Sequence, residues 1–570
     1  MASIREDTRT QEYTHSVLTL VFNHKVMKNI KSITFVITLM LFSLSCKKDF
    51  LEVQSQSQLS LDTYFTSYAE CRAATAPLYN KVWYQFSSQF YFNFGDGRAN
   101  NLFTPYSSSS SYGRLSETIE TPDLNEAWQS IYSVITQSDY VINNLDKALE
   151  YQVPASSVNA CKGEARFMRG LAYWYATSAW GNVPIVEDPV ATSKLSQVPP
   201  NRQEDVLQYA IRDLEYAVQW LPLTDDKGRV TRYSALGVLS RLYITAACYA
   251  RGNKFSAKWP KSADEYYALA KAAAKTVVEA PNYSLMTDYE QLFRVQNNNN
   301  SESLFALQFV PGSAVYGTGN RNQDWLAYST ALTDGLTAYG GSLFVSGELV
   351  KLMHDRGEVK RKKATFFYPG ATYDYIGTHT TAGRWVVETS TPAYPTIKKH
   401  VVGSNKDSGG SAINGNTGLA APMLRLAEVY LIYAESILAR QSSTNDAEAL
   451  KYFNAVRTRA GIAPLTSINM ADIWDERRCE LALEGQFWYD MVRRAYWDEN
   501  WVLNYMNNQN RSRYYYYLKS TAPNGFIWRD QYDGQIVNPA TADRLVIPYP
   551  ATELVLNPKL RDTPVPFDFK

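Results

Sequence analysis

The sequence predicts a mostly α-helical fold of degenerate, tetratricopeptide-like helix pairs, with a large loop-rich insertion that contains short β elements. Three observations predict it. Three segments carry apolar residues at helical spacing and stop at a proline or a Gly-to-Pro turn, each follows a partner segment with the same periodicity, and one long stretch breaks the pattern.

The first of these segments, Glu204 to Leu221, sets Leu207, Ala210, Leu214, Ala217 and Leu221 at intervals of three and four before Pro222. Asp264 to Ala280 repeats the device with Leu269, Ala273 and Val277 before Pro281, and Asp446 to Ala460 with Leu450, Phe453 and Val456 before Gly461 and Pro464. Their partners run from Lys162 to Ala179, Tyr233 to Ala250, and Leu424 to Ala439. Neither helix of such a pair can bury its apolar stripe without the other, which is the logic of a helical repeat. The spacing between pairs is irregular, so the repeats are degenerate and separated by loops rather than stacked as a solenoid.

The insertion spans residues 282–422. Its β-type runs, Leu304 to Val310 and Arg384 to Val387, sit among polar clusters such as Asn297 to Asn300 and Gly409 to Gly418. Long loops on a rigid helical frame are where binding surfaces commonly lie, so this stretch is the first candidate for recognition.

Lysine plus arginine (57) nearly cancels aspartate plus glutamate (56), which removes the broad attraction that nucleic acid requires. Aromatic residues make up 14% of the chain, with 41 tyrosines and 13 tryptophans. Such side chains serve both helix packing and wet binding surfaces.

Export is written near the start. Lys28 and Lys31 precede an apolar run from Ile33 to Leu44, the layout of a signal peptide over residues 27–45. About 20 apolar residues are needed to span a membrane, and this run is shorter. It ends in Ser43, Leu44, Ser45 and Cys46, which looks like a lipobox, although Ser43 stands where leucine is usual. Cys46 is therefore expected to become the acylated mature amino terminus that meets the membrane lipid. Residues 1–26 carry no targeting logic and read as a non-native upstream extension. Cys71, Cys161, Cys248 and Cys479 form no CxxC and have no histidine at ligand spacing, so zinc is disfavoured and buried free thiols are expected.

Five blocks then occur in order: CKKDFLE from Cys46, GEARFMRGLAYWYATSAWGNVPIV from Gly163, PMLRLAEVYLIYAESI from Pro422 with AEALKYFNAVRTRAG from Ala447, ERRCELALEGQFWYDMVR from Glu476, and IPYPATELVLNPKL from Ile547. Together they resemble the SusD/RagB family across nearly the whole mature chain. The resemblance implies an N-terminal helical region over 46–281 and a C-terminal region over 282–570. It also implies a lipid-anchored protein of the cell outer membrane that binds a glycan or other nutrient and acts as the lid of a SusC-type TonB-dependent transporter.

Within the fourth block, Glu476, Glu480 and Glu484 recur every four residues and are expected on one helical face beside Arg477 and Arg478. That arrangement suits salt bridges better than the two carboxylates that a glycosidase holds across a cleft. Arg425 and Glu428 read as framework charges tying the last repeat to the terminal segment. There is no HExxH, GxSxG or P-loop, and His354, His379 and His400 have no Glu or Cys at motif spacing. The glycines at 312, 317 and 319 lack the strand-turn-helix setting of a dinucleotide site. No catalytic residue and no cofactor is expected, while a structural calcium ion is left open. Two rival classes are an outer-membrane glycoside hydrolase and a tetratricopeptide scaffold that binds only proteins.

Two segments are candidates for the ligand site by chemistry. Phe94 to Asn101 gathers Asp96, Arg98, Asn100 and Asn101 around two glycines, and Asn320 to Tyr328 offers Trp325 and Tyr328 as stacking platforms. The alternative is that Trp325 and Tyr328 pack into the core and that Asp96 pairs with Arg98.

Overall fold

The expected helix pairs form with ends within two residues of expectation, except that the partner helix expected from Lys162 begins at Ala155. In the computed structural model the longer helices are α1 (Tyr68–Thr75), α2 (Leu124–Asn144), α3 (Ala155–Trp180), α4 (Gln203–Trp220), α5 (Arg232–Gly252), α6 (Ala263–Val278), α7 (Leu426–Leu438) and α8 (Ala447–Ala460). The structure describes residues 64–569 apart from 105–106, 196, 255–258, 313–317, 337–340, 389–394, 512–513, 517–526 and 530–535. The signal segment and Cys46 lie outside the described residues.

Local chemistry sets the helix ends. Thr231 and Ser262 each close a reciprocal capping box, with Ser234 and Glu265, so the first free amides of α5 and α6 are satisfied. Asp446 accepts from the amides of Glu448 and Ala449 at the start of α8, and Gly461 ends it at φ +82°.

Helix α3 packs on α4, α5 on α6 and α7 on α8. The approach of α3 to α4 is close enough that a Cβ on Gly170 would lie 2.1 Å from a Leu214 methyl carbon. Helix α6 also packs on α7, so the helical frame continues from one side of the insertion to the other, and Phe65–Lys570 is one compact unit.

Strands β2 (Ser303–Leu307) and β6 (Ala421–Arg425) pair antiparallel and clamp the two ends of the insertion. Inside it, β3 (Phe344–Val345), β4 (Phe366–Phe367) and β5 (Thr396–Ile397) join β1 (Leu102–Phe103) in an antiparallel sheet of order β1-β3-β5-β4. The expected run from Arg384 to Val387 contracts to Trp385–Val386, paired with Thr372–Tyr373.

Beyond the repeats come α9 (Met470–Glu480), α10 (Phe487–Asn507) and α11 (Ala551–Leu556). Here the expected triad of glutamates on one helix is corrected. Helix α9 ends at Glu480, and the chain turns through Leu483 (φ +62°) and Gly485 (φ +64°), so Glu484 belongs to a loop. Nor do Arg477 and Arg478 serve these acids, because both point elsewhere. Glu476 pairs with Arg361 at 2.6 Å and Arg457 at 3.0 Å, Glu480 with Arg425 at 3.1 Å, and Glu484 with Arg425 at 2.7 Å and Lys399 at 2.9 Å. Arg425 also reaches Glu302 at 2.6 Å, so the residue that precedes β2, the last residue of β6 and the terminal block meet in one buried ion network. Arg477 instead binds Asp490 at 2.8 Å and Glu428 at 3.3 Å, and Glu428 receives Arg241 at 2.6 Å. The framework role expected of Arg425 and Glu428 is what the structure has.

All three glutamates are almost wholly buried, so none lines a cleft as an acid or base. Buried ion pairs add little net stability over apolar packing, yet removing one partner is costly because the other charge is stranded. Cys71, Cys161, Cys248 and Cys479 are free thiols in the interior, as expected. No helix among the described residues is long and apolar enough to cross a membrane.

Candidate functional site

The two candidate segments separate sharply in their surroundings. Asp96 is fully buried and accepts from the backbone amides of Gly485 at 2.6 Å and Leu483 at 3.1 Å, and from Asn101 Nδ2 at 2.9 Å. Burial raises its carboxyl to about 6, against the lowering effect of those hydrogen bonds. Arg98, 1% exposed, pairs with Glu117, donates to the Arg544 carbonyl and lies 4.4 Å over the Trp488 ring. Asn101 Oδ1 accepts from Arg478 Nε at 2.8 Å, and the Asn100 carbonyl accepts from Arg478 Nη2 at 3.0 Å. Asp96 and Arg98 therefore do not pair with each other, and Asp96, Arg98, Asn100 and Asn101 sit inside the frame rather than on its surface. The physical reason is the crossing of this segment with the loop after α9: a Cβ on Gly95 would lie 2.3 Å from the Gly485 carbonyl oxygen.

The second segment is at the surface, and its sequence explains why. In the short helix Asn322–Leu326, Gln323 is fully buried, donating to the Gly403 carbonyl at 2.9 Å and accepting from the Val402 amide at 2.7 Å. Asn320 Nδ2 donates to the Leu419 carbonyl at 2.8 Å. These anchors fix the inner face, which turns Arg321 and Trp325, four residues apart, outward together. Both are half-buried.

The Arg321 guanidinium lies 5.5 Å from the Trp325 ring centre and 3.8 Å from the Asp324 carboxylate. Its charge and a side-chain hydrogen bond also lower the Tyr84 hydroxyl, partly offsetting the rise that burial causes. Tyr84, Arg321, Asp324 and Trp325 thus present two rings and a carboxylate grouped around one cation. That combination can meet an apolar sugar face and its hydroxyls.

Tyr328 is held more firmly. Its hydroxyl accepts from Trp385 Nε1 at 2.7 Å, and its ring meets Phe367 edge-on at 5.2 Å. Burial pushes its hydroxyl up to about 12. The ring therefore braces the half-exposed Trp385, which sequence reasoning missed, as it missed Tyr84 and Arg321. Arg321 lay within the chosen segment and could have been found by its spacing to Trp325. Tyr84 and Trp385 arrive from distant parts of the chain with no local signal. The two segments are linked through the strand between them, since the Ser342 amide donates to the Trp325 carbonyl at 2.8 Å and the Ser346 amide to the Asn101 carbonyl at 2.9 Å.

Comparison with known proteins fits this architecture. Residues 301–565 match the SusD family model, and residues 49–244 match a family described as starch-binding and associating with the outer membrane. A SusD-like protein of Bacteroides ovatus is 33% identical over 96% of this chain and 100% of its own length. The starch-binding protein SusD of Bacteroides thetaiotaomicron is 23% identical over 62% of this chain and 68% of its own. A solved structure in complex with a xylogluco-oligosaccharide is 33% identical, with a TM-score of 0.79 over 88% of this chain and 99% of that one. On its ordered sequence blocks, its helical frame and a full-length relative at this identity, the chain belongs to the SusD family.

Proposed function

We propose that this protein is a lipid-anchored, surface-exposed glycan-binding component of the outer membrane that works as the lid of a SusC-type TonB-dependent transporter. The observation that carries the glycan reading is the similar structure solved with a xylogluco-oligosaccharide, at 33% identity over 88% of this chain. A neutral, branched β-glucan oligosaccharide of that class is accordingly the first ligand to try. Trp325 would stack on a sugar ring, with Arg321, Asp324 and Tyr84 addressing hydroxyls and Tyr328 bracing Trp385 alongside. The carbonyls of Asn100 and Asn101 act on this surface only at a distance, by accepting from Ser346 at the end of β3, while Asp96 and Arg98 hold the segment before β1 in the frame.

Anchoring through acylated Cys46 would keep the lid at high local concentration beside its barrel, so a modest interface would stay engaged. Calorimetric titration of the mature protein with xyloglucan, starch and laminarin oligosaccharides tests the first claim. Heat with the first and none with the others is expected, and no heat with any of the three would sink the glycan reading. Pull-down from gently solubilised membranes tests the second: recovery of a large barrel partner is expected, and recovery of this protein alone would defeat the lid role.

A further inference from the structure

A second cleft opens where the loop between α4 and α5 meets the start of the insertion. It encloses about 500 Å³ and is lined by Thr224, Asp226, Lys227, Asn282, Tyr283 and Asn299 among others. Its walls are fixed before any ligand arrives. Arg72 donates to Asp225 through both terminal nitrogens, at 2.7 and 2.8 Å, and to Asp226 at 2.9 Å. Asn299 and Gln308 exchange amide hydrogen bonds at 2.8 and 3.0 Å. The Tyr283 hydroxyl lies 3.2 Å from Thr231 Oγ1, and its half-buried ring meets Tyr233 edge-on at 5.8 Å. Groups already held in place lose little freedom on binding, which is what a pre-formed site requires.

The chemistry selects a ligand class. Asp225 and Asp226 are balanced by Arg72 and Lys227, and Arg229 is paired with Glu164 at 2.7 Å, so the cleft offers no net field to a charged ligand. Asp226 nevertheless keeps 85% of its side chain exposed, and Asn282 is exposed, leaving acceptors and amide donors beside an aromatic wall. That is a surface for neutral, hydroxyl-rich molecules.

Its position connects it to the Trp325 surface. Gln308, which holds the wall residue Asn299, offers its carbonyl to Asn80, and Asn80 Nδ2 also reaches the Thr318 carbonyl at 3.5 Å, three residues before Arg321. The Val310 amide donates to the Thr318 carbonyl at 2.8 Å, so the cleft and the Trp325 surface flank the base of one loop. Resting on the glycan reading above, we propose that this cleft is a second contact site for the same neutral glycan chain, engaged only by chains long enough to pass the base of that loop.

Calorimetry with the mature protein and xyloglucan oligosaccharides of one, two and three repeat units tests it. The wild type is expected to gain about tenfold in affinity from the shortest to the longest, because the second contact becomes intramolecular. The double variant Asp226→Ala, Asn282→Ala changes only exposed side chains and should lose that gain while holding the shortest ligand as before. Tyr283→Phe, which keeps the ring but not the hydroxyl, should retain most of it. Length-independent binding by the wild type, an undiminished gain in the double variant, or equal loss at every length in a normally folded variant would each overturn the second site. Absence of binding at every length would defeat the glycan reading and this inference together, whereas length-independent binding defeats only the inference.

Discussion

The carboxylate of Asp96 receives the amide of Gly485 at 2.6 Å across 389 residues of sequence, at a point where the backbones of Gly95 and Gly485 nearly touch. This crossing locks the segment before β1 to the loop that carries Glu484. A side chain on Gly95 has no room, since its Cβ would sit 2.3 Å from a carbonyl oxygen that belongs to backbone and cannot swing aside. Gly95→Ala should therefore lower stability by roughly 3 kcal/mol or more, or prevent folding. A melting temperature within a degree or two of the wild type would contradict the crossing.

Glu484 predicts acid sensitivity of a defined sign. Arg425 and Lys399 hold its carboxyl at about 2, below the ordinary 4.5 of a glutamate, despite full burial. A depressed carboxyl contributes stability that is present above about 4.5 and is lost as pH falls from there toward 2. Glu484→Gln should cost on the order of 3 to 5 kcal/mol at neutral pH and flatten the acid limb of a stability-against-pH curve. An unchanged acid limb in the variant would show that other groups dominate.

Lys398 predicts a slope of the same sign at the basic end. It is fully buried, its amine has no hydrogen-bond partner among the described residues, and it lies 4.8 Å from the Tyr375 ring. Burial lowers it from 10.5 to about 8, with Glu290 and Asp288 raising it and Arg294 and Lys363 lowering it. Between those values the unfolded chain binds a proton that the folded one does not, so stability should rise with pH through that window. Lys398→Met should remove the rise and stabilise the protein by on the order of 3 kcal/mol at neutral pH. Chemical denaturation at neutral pH and again above pH 8 reads both effects. Destabilisation by the methionine would mean that the amine has a polar role.

Gln323 and Asn320 anchor the backbone that carries Trp325. Trp325→Ala is therefore expected to reduce oligosaccharide affinity at least about tenfold while shifting stability by less than about 1 kcal/mol. Binding at wild-type strength would remove Trp325 from the site, and a large fall in melting temperature would return it to the framework.

Cys46→Ala should release the protein from the membrane fraction, because the signal that precedes it is too short to span a bilayer. Fractionation of cells that lack the proposed barrel partner makes the reading direct. Retention of the variant as firm as that of the wild type would refute the anchor.

The sequence by itself determined the helix pairs, their ends and the place of the insertion, because helical periodicity and terminal prolines act over a few neighbouring residues. The alternation that closes α4 at Pro222, the capping box at Ser262 and Glu265, and the four-residue spacing of Arg321 and Trp325 are all local. Tertiary structure decided the rest. Asp96, Arg98, Asn100 and Asn101 have the residue types of a sugar site, and only the approach of Gly485, Arg478 and Trp488 makes them interior. Glu484 looked like the next turn of a helix until a positive φ at Leu483 carried it into the pocket of Arg425 and Lys399. Tyr84 and Trp385 reach the candidate site from opposite sides of the chain's length. Charges, amides and rings look alike in sequence whether water or another segment satisfies them, and that choice belongs to contacts made hundreds of residues away.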